Sequence, residues 1–149
     1  MRRRDIFLSS LHGILISTSA MLGIGVARAA AAPDPARPKV AYHLCDADKV
    51  SSVLGNIKNH FAARPTADIV LVVHGPALPV FRLSGQGASL SPRWEQLRHA
   101  GLTAFACGHA LHGFDISLAD LLPGFAVADE GGVVKLAELQ TQGYAYLRP

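Results

Sequence analysis

Hydrophobic and polar positions along the chain switch repeatedly between two periods. Lys39–Leu44 (KVAYHL) places Val40, Tyr42 and Leu44 on one face and Ala41 and His43 on the other, the alternation of a short strand. Asp46 or Asp48 can then cap a helix that carries Val50, Val53, Leu54, Ile57 and Phe61 at helical spacing, with Pro65 ending the unit. Residues 68–74 (DIVLVVH) form a continuous apolar run, the signature of a parallel strand covered on both faces. Gly75-Pro76 breaks it. Residues 77–83 predict a short helix or irregular segment, and the glycine-rich residues 84–89 predict a loop.

The second half repeats the alternation. Ser91-Pro92 reads as an N-cap and first helical position, followed by Trp94, Leu97 and Ala100 and stopped by Gly101. Residues 102–107 predict a third strand and 109–114 a short helix. Ser117 to Asp120 has the spacing of a capping box for one more turn, which Pro123-Gly124 closes. Residues 125–128 predict a fourth strand, 132–142 a helix with a broad apolar face, and 144–147 a fifth strand. Strands alternating with helices five times argue for an α/β domain with a mainly parallel sheet and right-handed crossovers. GxGxxG and GxxxxGK[ST] are both missing, so the sequence carries no signature for a dinucleotide or a nucleotide phosphate.

The N-terminal stretch has a different character. Arg2, Arg3 and Arg4 precede a mostly apolar segment over residues 6–26, and Ala27-Arg28-Ala29 offers small residues where a signal peptidase reads. Arg3-Arg4-Asp5-Ile6-Phe7 resembles a twin-arginine export signal. The expected organisation is a cleavable signal over 1–29, an Ala/Pro-rich disordered tether over 30–38, and one domain over 39–149. Export to the periplasm follows, with membrane contact only through the leader before cleavage. The apparent basicity of the chain comes from this leader. The chain has 14 Lys+Arg against 11 Asp+Glu. Cleavage after Ala29 removes Arg2, Arg3, Arg4, Arg28 and Asp5, leaving 10 of each sign. The mature chain has no basic excess, so nucleic acid is not an expected partner.

The chemistry-bearing residues gather where predicted strands end. Cys107 closes the third strand and is followed by Gly108, His109 and His112. Parallel sheets place their chemistry at the carboxyl ends of strands. A helix start there stabilises a thiolate, Gly108 permits close approach to the backbone, and His109 or His112 could share a proton. The bland reading of Cys107 is a small buried hydrophobe. His43, His74, His109 and His112 also fall near strand ends, and with Cys107 they could form a soft site for zinc or copper. No HExxH or paired CxxC spacing supports that, so neither metal nor cofactor is expected. Asp129-Glu130 reads as a loop and helix start, Tyr144 and Tyr146 as packing residues, and Trp94 as core or interface.

Four pieces, KVAYHL, VVHGPAL, CGHAL and DLLPGFAVADEGGVVKLAELQTQGYAYLRP, resemble the DsrE/DsrF-like sulfur-relay family in order and spacing. The resemblance implies a three-layer α/β/α sandwich on a five-stranded sheet of YchN-like fold, and homo-oligomers, often trimers or hexamers. It also implies sulfur carried as a persulfide on the matching cysteine, Cys107, and passed to a thiol partner protein. His109 or His43 would assist proton movement, and His43, His74, Gly75 and Gly108 would line the site. The implied strand order puts the second strand between the first and third, which disfavours a Cys45–Cys107 disulfide. The alternative function is a non-catalytic oligomeric module that binds a small ligand or a soft metal.

Overall fold

The computed structural model describes residues 37–149; the expected leader and most of the tether lie outside them. Five strands alternate with four helices: β1 (Lys39–Leu44), α1 (Val50–Ala63), β2 (Asp68–Val73), α2 (Gln86–His99), β3 (Thr103–Cys107), α3 (Gly108–Gly113), β4 (Phe125–Ala128), α4 (Gly132–Thr141) and β5 (Ala145–Leu147). Short 3-10 turns occupy Ala47–Lys49, Gly75–Phe81 and Leu118–Asp120. The last carries the capping box expected at Ser117, with Asp120 accepting from the Ser117 backbone N–H and hydroxyl at 2.8 Å each. All strand pairs are parallel, and the order is β4-β3-β2-β1-β5. β2 separates β1 from β3, as the resemblance implied, and both cysteines are free thiols.

Alternation along the strands sends neighbouring residues to opposite faces, and the two faces are filled unequally. One face gathers Val40, Tyr42, Leu44, Ile69, Leu71, Val73, Ala104, Ala106 and Phe125 against the apolar stripes of α1 and α2 and the Gly75–Phe81 turn. Trp94 is fully buried there. Its ring stacks on Phe125 with centroids 4.6 Å apart, and its indole N–H donates to the Pro123 carbonyl at 2.8 Å. The other face holds Ala41, Val70 and Val72 under Leu136 and Leu139 of α4, with Phe105 and Tyr144 half-buried beside them. Helices therefore cover both faces of the sheet, and among the described residues α4 alone covers the second.

The start of α2 departs from the sequence expectation. The helix begins at Gln86, so most of the expected loop is helical and Pro92 lies inside it. Gly85 enters with φ 67°, a left-handed conformation that glycine adopts without strain. Gly87 is buried with its Cα facing the Arg82 carbonyl, where a Cβ would clash. The glycines here mark a tight turn and a close helix-to-backbone contact, and composition alone reads the same residues as a loop.

Candidate functional site

The connections define where the sheet opens. The links that follow β1, β2 and β3 pack on the Trp94 face, because Leu54, Leu78 and Leu111 all join that core. The link that follows β4 is α4, on the opposite face. The chain therefore changes sides between β3 and β4. In open α/β sheets the crevice at the carboxyl ends of two such strands is where ligands bind. Cys107 is the last residue of β3 and flanks this crevice.

Strand alternation aims three side chains to the same side. Cys107 follows Phe105 by two residues, His74 follows Val72, and His43 follows Ala41, so all three continue the α4 face of the sheet. The N-terminus of α4 sits over them. A Cβ on Gly132 would lie 3.2 Å from the His74 Cβ and 3.4 Å from the Cys107 Cβ, so the helix starts in close contact with both. On the β4 side, the His109 ring rests against Gly131, whose φ is 101°. His109, Cys107, His74 and His43 thus form a row across the carboxyl ends of β3, β2 and β1.

At the β1 end of the row the contacts are polar. His43 Nδ1 shares a hydrogen bond of 2.6 Å with the Tyr146 hydroxyl, and His43 Nε2 meets His74 Nε2. Tyr146 comes from β5, which pairs with β1 so that Ala41 lies opposite Tyr146. Arg148, just beyond β5, bonds Asp46 at 3.2 Å. Burial holds the His43 imidazole below its ordinary pKa, and the charges of His74 and Arg148 push the same way, against Asp46. His74 is lowered by burial and then by Arg148, again opposed by Asp46.

The remaining expected site residues are placed as follows. Cys107 retains 7% of its surface. Gly108 faces the carbonyls of Ala128 and Asp129, which a Cβ would approach to 3.1 and 3.2 Å, so protein backbone fills the space beside it. Gly75 has φ 56°, and a Cβ there would come 3.0 Å from the Cys45 sulfur. His112 is exposed in the last turn of α3. Among the described residues no group of three or more His, Cys, Asp or Glu side chains is arranged to hold a metal ion. Tyr146, read from sequence as packing, is a member of the polar cluster. Its signal was the alternation of Tyr144 and Tyr146, but the position of β5 beside β1 was needed to interpret it.

The chain matches the DsrE/DsrF-like family over residues 13–149. It belongs to the DsrE/DsrF-like family. The structure superposes on a protein described as being of unknown function from Methanobacterium thermoautotrophicum, with TM-score 0.67 and 27% identity over 75% of this chain and 99% of that one. It also superposes on the ychN protein from E. coli with TM-score 0.61 and 15% identity, over 74% and 99% of the two chains, a likeness of fold. No curated protein matches the chain. Family and fold stand as the sequence resemblance implied: a DsrE/DsrF-like α/β domain of YchN-like structure on an all-parallel five-stranded sheet.

Proposed function

We propose that this protein carries sulfane sulfur on Cys107. The observation that supports the reading is the position of the Cys107 thiol at the point where the sheet changes sides, with the start of α4 packed over it. In the proposed step Cys107, reacting as a thiolate, attacks the outer sulfur of a donor persulfide. The donor's S–S bond breaks, the donor leaves as a thiolate, and Cys107 holds the sulfur as a persulfide. An acceptor thiolate then attacks that outer sulfur and releases Cys107 as a thiolate, so one sulfur atom moves without net oxidation. His109, against Gly131, or His43 would move the accompanying proton, and His43, His74, Gly75 and Gly108 would shape the site. The acceptor is a thiol partner protein.

The reading extends to the whole chain: export to the periplasm through residues 1–29, followed by assembly into a trimer or hexamer. One experiment tests carrier and leader together. Protein recovered from its native compartment is weighed intact, before and after incubation with polysulfide, and then labelled with a persulfide-selective reagent. The expected result is a mass lacking residues 1–29, a gain of sulfur, and a label on Cys107 that disappears in Cys107→Ser. Folded protein whose Cys107 takes no label sinks the carrier reading.

A second reading is favoured by the His43–His74 contact. In it the protein is a non-catalytic oligomeric module that binds a small ligand or a soft metal at this pair.

A further inference from the structure

We propose that Tyr146, His43 and His74 form a proton relay that serves the Cys107 thiol, an inference that rests on the carrier reading and names the route of its proton. The two imidazole planes are inclined by 17° with centroids 4.6 Å apart, while Nε2 meets Nε2. Rings stacked face to face cannot bring those nitrogens into contact, so the rings lie end to end. Two imidazole nitrogens in direct contact share one proton. With none, lone pair faces lone pair; with two, N–H faces N–H. Tyr146 continues the line, because its hydroxyl bonds His43 Nδ1 at 2.6 Å.

That single shared proton leaves the neutral chain two arrangements. In the first, His74 Nε2–H donates to His43, His43 Nδ1–H donates to the Tyr146 oxygen, and His74 Nδ1 carries a free lone pair. In the second, the Tyr146 O–H donates to His43 Nδ1, His43 Nε2–H donates to His74, and His74 Nδ1 carries a proton. Passing from the first to the second takes up a proton at His74 Nδ1 and releases one from the Tyr146 hydroxyl. Tyr146 is 42% exposed, so that end opens to water.

The His74 end lies at Cys107. Val73 pairs with Ala106, and His74 stays extended at φ −146° and ψ 178°, so the register carries His74 opposite Cys107. Neighbouring strands stand about 4.8 Å apart. The start of α4 touches the β-carbons of both residues at Gly132. No hydrogen bond engages His74 Nδ1 among the described residues. The thiolate is the nucleophile, so a proton must leave Cys107 before it attacks. His74 Nδ1 takes that proton, Nε2–H passes to His43, Nδ1–H passes to Tyr146, and the phenol proton goes to water. Cys107 is left as a thiolate and no electrons change hands. The reverse sequence returns a proton when transfer is complete.

The surrounding charges keep the relay ready to accept. Burial favours the neutral form of both rings; Arg148 acts the same way and Asp46 against it. On α4, Lys135 is engaged by Glu138 at 2.7 Å and stands over Phe105. His109 rests on Gly131 at the other end of the row, and the Cys45 sulfur lies against Gly75.

The test uses the chain with Cys45→Ser, which leaves Cys107 as its one thiol. Alkylation by iodoacetamide consumes the thiolate, and intact mass follows its rate from about pH 5 to 10. The expected profile has a shoulder on the acid side of the thiol inflection, where the thiol proton resides on the histidines. His74→Gln should abolish the shoulder and lower the acid-side rate about tenfold or more. His43→Gln and Tyr146→Phe should shrink it. All should converge at high pH, where hydroxide takes the proton without the relay, whereas a merely structural role would move the whole profile. Circular dichroism confirms that each variant folds. A profile without a shoulder, a shoulder that survives His74→Gln, one that ignores both His43→Gln and Tyr146→Phe, or a folded chain whose Cys107 resists alkylation at every pH overturns the relay. Alkylation involves no sulfur transfer, so the same proteins are then loaded with polysulfide. The expected shoulder with no persulfide on Cys107 leaves the relay standing and removes the carrier reading.

Discussion

At the scale of single residues, the histidine pair has a consequence for stability. Both imidazoles are held below their ordinary pKa, chiefly by burial. Above about pH 6.5, the ordinary value, they are neutral in folded and unfolded chains alike, and their contribution to stability is fully present. As the pH falls, the unfolded chain takes up protons first while the folded pair resists. Stability must then fall with pH until the folded pair itself titrates. Urea unfolding between about pH 7.5 and 5 should show this as a declining midpoint. His43→Gln removes one of the two groups and should make the decline shallower. An identical pH profile for both proteins would mean that the pair carries no such linkage.

At the scale of elements, α2 offers two substitutions of opposite sign. Gly87→Ala drives a methyl into the Arg82 carbonyl, a backbone atom that cannot swing aside. Overpacking of this kind costs about 1–3 kcal/mol. Pro92→Ala restores a backbone donor inside the same helix and relieves the proline ring, a gain of about 1–3 kcal/mol at an exposed position. Thermal melts should move down for the first and up for the second. A rise for Gly87→Ala would show that the helix does not start where it is placed. The same element shows what could be read from the chain. β2 was legible because a strand buried on both faces is a continuous apolar run, and Trp94 because helical spacing put it with Leu97. The start of α2 was not, because Gly85 and Gly87 serve one turn and one close contact that composition cannot tell from a loop. Cys107, His74 and His43 were each legible at a strand end. Their shared face was implicit in the alternation, but Tyr146 was not, because period-two patterning says nothing about which strand lies next to β1.

At the scale of the molecule, the unequal covering of the sheet bears on assembly. Among the described residues α4 is the only helix on its face. Val133 on that helix is 69% exposed, and Val134, Tyr146 and Leu147 are also exposed apolar or aromatic groups. β5 is a three-residue edge strand paired on one side only. A standard interface buries about 800 Å² per partner, more than any one of these side chains supplies, so the helix and the edge must act together. The trimer or hexamer proposed above would use this surface. Val133→Asp tests it cleanly, because Val133 lies in the first turn of α4, where a carboxylate favours the helix dipole. The substitution should therefore leave the fold intact while placing a charge in the interface. Sedimentation of the wild-type chain should give a multiple of the monomer mass, and Val133→Asp should shift it toward monomer with no loss of helical circular dichroism. A wild-type chain that sediments as a monomer at every concentration would assign the exposed apolar face to some other partner.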